Sequence, residues 1–168
     1  MSDKGLPVRF RHWYLHEREA HASVLDSLET VPVDRRTEDA YREALDLFAH
    51  LLRARRMWLY RMGHTDRGAT RVEELFPTGA TLAELRSENA EIGEMWAAHL
   101  DGLDHEEIGR RFTYTAFEGG RFSNTVEEIL TQLNGHSWYH RGQIARIVRS
   151  LGGEPAVTDY VFWTRKSR

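Results

Sequence analysis

The sequence predicts an all-α fold, a four-helix bundle with a crossover connection and a small β-hairpin before the last helix, and three observations predict it. Four stretches hold apolar residues on a 3.6-residue period for long enough to be bundle helices. One aperiodic segment, His64 to Gly79, is too long for a tight turn and carries Gly68, Pro77 and Gly79. Between Ile108 and Phe122 the period changes to two. No repeat of fixed length and no low-complexity tract competes with this reading. With 168 residues, 40% of them apolar, and five Trp, the chain can close one good-sized core, so a single domain over residues 1–168 is expected.

The first helix is expected from about Val8 to Leu28, ending before Val31-Pro32 because a residue preceding proline is disfavoured in helical geometry. The second begins near Thr37, with Glu38 and Asp39 favourable in its first turn. It runs through Tyr41, Leu45, Phe48, Leu52, Trp58, Leu59 and Met62 and stops at Gly63. At about 1.5 Å per residue it is a rod of roughly 38 Å. Thr81 and Glu84 form a capping-box pattern, and the third helix places Leu82, Leu85, Asn89, Ile92, Met95, Trp96, His99 and Leu103 on one face. Phe112, Tyr114 and Ala116 then alternate with Arg111, Thr113 and Thr115, and Glu118-Gly119-Gly120 supplies a turn. The last long helix starts at a cap on Ser123 or Thr125 and ends at Gly152-Gly153. The tail, Glu154 to Arg168, holds Val157, Tyr160, Val161, Phe162 and Trp163, an aromatic end expected to dock on the body.

Composition removes several function classes. A formal charge of −3 and a pI near 6.3 give no electrostatic footprint for nucleic acid. Cysteine is absent, which excludes disulfides, thiolate ligands and a cysteine nucleophile, so any metal must be held by His and carboxylate. The amino terminus has no apolar run of signal-peptide type, and no stretch approaches a membrane span, so a cytoplasmic location is expected. There is no Gly-x-Ser-x-Gly elbow, no glycine-rich phosphate loop and no paired Glu-x-x-His pattern of di-iron bundles.

The chemistry-bearing stretch is Asn134-Gly-His136-Ser-Trp-Tyr-His140-Arg-Gly-Gln143. Residues at i and i+4 share a helix face, so the imidazoles of His136 and His140 point the same way. They interrupt an apolar stripe of Val126, Ile129, Leu130, Leu133, Ser137, Ile144, Ile147, Val148 and Leu151. A buried polar ring costs on the order of a few kcal/mol without a partner, and two at this spacing can share one cation. Catalytic zinc usually takes three protein ligands, and His50, among Leu47, Leu51, Ala54 and Met57, is the candidate third. With nine histidines in the chain, core hydrogen bonding is the competing account of each. His16-Glu17-Arg-Glu-Ala-His21 resembles a zincin helix, but its second His stands at i+5, about 140° out of alignment. Glu17 reads there as part of a solvated surface, while His16 or His21 can still face the interior. His99 is the candidate fourth ligand or nearby base, and His64 and His105 read as solvated loop residues.

His50, the Phe112 to Phe122 hairpin leading into Ser-Asn-Thr, the run His136-Ser-Trp-Tyr-His140-Arg-Gly-Gln-Ile and the Val-Thr-Asp-Tyr tail together resemble the DinB-like (damage-inducible, YfiT-like) metalloproteins, a family unrelated to the similarly named DNA polymerase. The likeness covers about Leu45 to Trp163, and Tyr-His-Arg-Gly-Gln is its most specific part. The resemblance implies a commonly dimeric crossover bundle holding one divalent ion, zinc or nickel foremost, through His50, His136 and His140. It also implies, as in some members, a thiol S-transferase using a low-molecular-weight thiol cofactor, while a three-His site with an open position equally allows a hydrolase of small molecules acting through metal-bound water. Helix one departs from the family pattern at His16-Glu17 and Glu19, which bears on the substrate. The other class of function is a non-catalytic, metal-stabilised stress-response or interaction protein, told apart by whether a cleft opens on the metal. Glu19, Glu94, Tyr114 and His99 are each able to supply an acid or base. Gly142 is expected to admit a close helix neighbour, with Arg141 and Gln143 anchoring the hairpin or a second subunit, and Trp138 and Tyr139 facing away from the His stripe.

Overall fold

The computed structural model describes residues 5–165; residues 1–4 and 166–168, part of the expected domain and tail, lie outside the described residues. The fold is mostly helical with one small hairpin. Helix α1 (Leu6–Glu29) tolerates Pro7 because a first-turn N–H has no intrahelical partner to lose. Helix α2 (Asp39–Met62) ends at Gly63, whose φ of 87° lies in the left-handed region that glycine adopts freely. The end is closed by His64 N–H on Leu59 O at 2.9 Å. Helix α3 (Leu82–Asp101) starts at the Thr81/Glu84 capping box. A short helix α4 (His105–Gly109) follows, capped by Asp104, which accepts from Glu107 N–H at 2.8 Å. Five residues carry too little period for α4 to be legible in the sequence.

Strands β1 (Arg111–Thr115) and β2 (Arg121–Thr125) pair antiparallel, with Arg111 opposite Thr125 and Thr115 opposite Arg121. Ser123 sits in this ladder opposite Thr113, so the cap of the next helix falls to Thr125, which forms a capping box with Glu128. Helix α5 (Val126–Ser150) follows without a break. A last turn, α6 (Tyr160–Thr164), lies on α1: Tyr160 Oη is 2.8 Å from His12 Nδ1, and Trp163 Nε1 donates to Glu19 Oε2 at 2.7 Å.

In the bundle α1 packs against α3 and α5, and α2 packs against the same two. Consecutive helices α1 and α2 therefore occupy opposite corners, which excludes simple up-down-up-down wiring. Two steps are diagonal, residues 30–38 from α1 to α2 and residues 102–125 from α3 to α5. The longer segment 63–81, whose length suggested the crossover, joins neighbours, and its turn at Val72–Leu75 walls the site. The centre is filled by Leu25, Leu28, Phe48, Leu52, Trp96 and Ile144, all under 3% exposed. Each such side chain contributes about 1.5–3 kcal/mol on burial, so the helices that carry the site are held by packing and not by the site itself.

Candidate metal centre

The three expected histidines meet. His50 reaches from α2, and His136 and His140 from consecutive turns of α5, the helix against which α2 packs most extensively. His136 Nε2 lies 3.1 Å from His50 Nε2 and 3.0 Å from His140 Nε2. Tetrahedral zinc with Zn–N near 2.0–2.1 Å needs nitrogens roughly 3.3 Å apart, so the donor set already has about the right spacing.

The other ring nitrogens fix which atoms face inward. His50 Nδ1 donates to Leu75 O at 2.6 Å, and His140 Nδ1 donates to Gln143 Oε1 at 2.6 Å. Both rings therefore turn a bare Nε2 lone pair to the centre. A proton on His136 Nε2 can serve only one of these two acceptors, leaving the third nitrogen facing its neighbours unsatisfied. A divalent cation satisfies all three at once. Burial, then the neighbouring His140 and His50, pushes the His136 pKa down to about 4. Burial likewise lowers that of His140, against a raising contribution from Gln143. Both are neutral at pH 7, the state a ligand requires.

The site is open on one side. The ring of Phe76 stacks on His50 at 4.5 Å with planes 5° apart. A cleft of about 350 Å³ opens onto His50 and His140, lined also by Asp39, Arg42, Glu43, Asp46, Phe76 and Pro77. Asp46 is fixed at its edge by Gly79 N–H on Oδ1 at 3.2 Å.

Beneath the histidines runs a buried charged layer. Glu17 pairs with Arg55, and its Oε1 lies 3.8 Å from both Arg141 Nη1 and His21 Nε2. Arg55 Nη2 donates to Ser137 Oγ at 3.2 Å, next to His136 in the chain. Burial raises the Glu17 pKa, but Arg55, His21, Ser137 and Arg141 outweigh it, and the carboxyl stays ionised below its ordinary value.

The chain matches the profile of the DinB superfamily over residues 14–144. The chain belongs to this family. No curated protein matches it. The DinB match takes in most of α1, ahead of the stretch from Leu45 on which the sequence likeness rests, and includes all three histidines.

Several expectations are corrected in this DinB chain. Glu17 is 4% exposed, not part of a solvated face, and Arg141 is turned inward to it instead of towards the hairpin or a second subunit. Gln143 serves His140. A Cβ at Gly142 would meet nothing within 4 Å, so no close helix approach depends on it. His16 is held by Thr158 O at 3.1 Å. His99 is not grouped with the three histidines but lies with His64 and Glu107. Of the other acid and base candidates, Glu19 accepts from Trp163, Glu94 from Arg18 at 3.0 Å, and Tyr114 donates to Asn124 at 2.8 Å. None of the three lines the cleft, which carries Asp39, Glu43 and Asp46 instead. The loop carbonyl of Leu75 had no sequence signal, because only the folded path of residues 63–81 brings it to His50. Asp39, Glu43 and Asp46, in contrast, precede His50 on α2 by 11, 7 and 4 residues, a helical spacing that places them on its face of the helix.

Proposed function

We propose that this protein binds one divalent ion, zinc or nickel foremost, through His50, His136 and His140, and is a metal-dependent enzyme acting on a small molecule. The observation that carries this is the convergence of three Nε2 atoms whose rings are held by Leu75 O and Gln143. Membership of the DinB superfamily supports it. When bound, such an ion with three neutral ligands keeps its full charge and acidifies a thiol or water at its open position.

The chain's own residues would do the rest. Phe76 and Pro77 cover one flank of the cleft and limit water there. Asp39, Glu43 and Asp46 stand at its mouth as proton acceptors, and Arg42 can hold an anionic group of the substrate. A low-molecular-weight thiol transferred to an electrophile fits this arrangement, with hydrolysis as the second reaction of the same site. The cleft favours catalysis over a sealed, purely structural ion. Trp138 and Tyr139, 53% and 65% exposed on the outer face of α5, support a homodimer contact.

The test is a thiol-consumption assay with zinc- or nickel-loaded protein and a model electrophile. Acceleration that disappears in His140→Ala supports the transferase reading. Metal spectra showing four protein donors, undisturbed by added thiol, would remove the enzyme reading.

A further inference from the structure

A second cluster of metal-ligating side chains stands at the carboxy-terminal end of α2. His64 follows the left-handed Gly63 that closes α2, His99 lies in the last turn of α3, and Glu107 lies in α4. One nitrogen of each imidazole and one Glu107 oxygen are all within 4.8 Å of one another. The two rings are 4.1 Å apart, tilted by 49°, and His64 Nε2 is 3.9 Å from Glu107 Oε1.

His99 gives the independent observation. The residue is 8% exposed, and its Nε2 is buried without a hydrogen-bond partner. An unsatisfied buried polar atom of this kind is destabilising, and a cation would supply the partner it lacks. The cluster also lines a cleft, with Met95 and Ala98 as its apolar wall.

We infer that His64, His99 and Glu107 form a second site for a zinc-like divalent cation. Two imidazoles and one carboxylate are a ligand set that zinc uses with an exchangeable fourth position, and the open cleft leaves room for that position. Both rings are neutral at pH 7. Burial and then His64 push the His99 pKa down to about 4, and burial lowers that of His64. Arg110 holds Glu107 through both oxygens, at 2.7 and 2.8 Å. A carboxylate offers about four lone-pair sites, so Glu107 can keep Arg110 and still accept a cation, with Arg110 orienting it. Sharing the carboxylate with a guanidinium makes this the weaker of the two sites. The ion would tie the end of α2 to α3 and α4.

Untagged protein is equilibrated with zinc and the bound metal counted, for wild type, His64→Ala, Glu107→Gln and His140→Ala. The expected result is a zinc equivalent that is lost in His64→Ala, is weakened at least about tenfold in Glu107→Gln, and persists in His140→Ala. His64 lies outside the core, so its removal leaves the fold intact, and the isosteric Glu107→Gln is an independent check. The same counts separate this inference from the function proposed above, since an equivalent that follows His140 belongs to the three-His site. If no zinc equivalent depends on His64 and Glu107, the second site does not exist.

Discussion

Gln143 Oε1 accepts a hydrogen bond from His140 Nδ1 at 2.6 Å, one turn further along α5. This bond selects the tautomer of His140 and aims its Nε2 at His136 and His50. The imidazole is thereby prepared by its own helix, at i+3, without help from the rest of the bundle.

Replacing Gln143 with Leu removes the acceptor but no donor atom of the site. The expected outcome is metal affinity reduced by about 10–100-fold with the fold unchanged. Competition titration with a chelator, alongside circular dichroism, measures both. Unchanged affinity would mean that Gln143 does not orient His140.

Among the described residues, Glu17 is the only carboxylate paired with the buried guanidinium groups of Arg55 and Arg141. Substituting Glu17→Gln leaves those charges without a counter-ion, and breaking such a pair costs about 3–5 kcal/mol. Urea unfolding at pH 7 should show a loss of that order. A change under about 1 kcal/mol would show that water reaches the arginines.

Burial pushes the His21 pKa down to about 3, with Glu17 opposing and Arg55 and Arg141 reinforcing the shift. Its folded value is below the unfolded one, so at pH well above 6.5 the two states bind protons equally and stability is flat. As pH falls below 6.5, the unfolded chain takes up a proton that the folded chain refuses, and stability falls until about pH 3. The slope from this residue approaches about 1.4 kcal/mol per pH unit, and His99, held near 4, adds in the upper part of the window. Urea midpoints of the metal-free protein should therefore drop between pH 6.5 and pH 4.5. A midpoint that stays level or rises over that range contradicts neutral, buried His21.

The four long helices were legible because their cores are periodic, and the capping boxes at Thr81 and Thr125 carry their own signature. His136 and His140 were legible for the same reason, as polar residues on a stripe that buries Ile129, Leu133 and Ile144. Glu17 was not, because Arg18 and Glu19 beside it are solvent-exposed, and one helix turn does not reveal that its partners come from α2 and α5. His64 is exposed, as expected of a residue just past a helix end, but its nearness to His99 on α3 and Glu107 on α4 was not legible, because local sequence is silent about both. Periodicity reports what a helix hides, whereas ion pairs and ligand sets depend on which helix lies opposite.

The central claim is tested most directly by metal content, measured by mass spectrometry on untagged protein purified without chelator, for wild type, His50→Ala and His140→Ala, with reloading by zinc and nickel. The account predicts an equivalent of metal in the wild type that both substitutions abolish. Wild-type protein whose bound metal, even after reloading, is the same in both variants would contradict it and leave His50, His136 and His140 as hydrogen-bonded core residues.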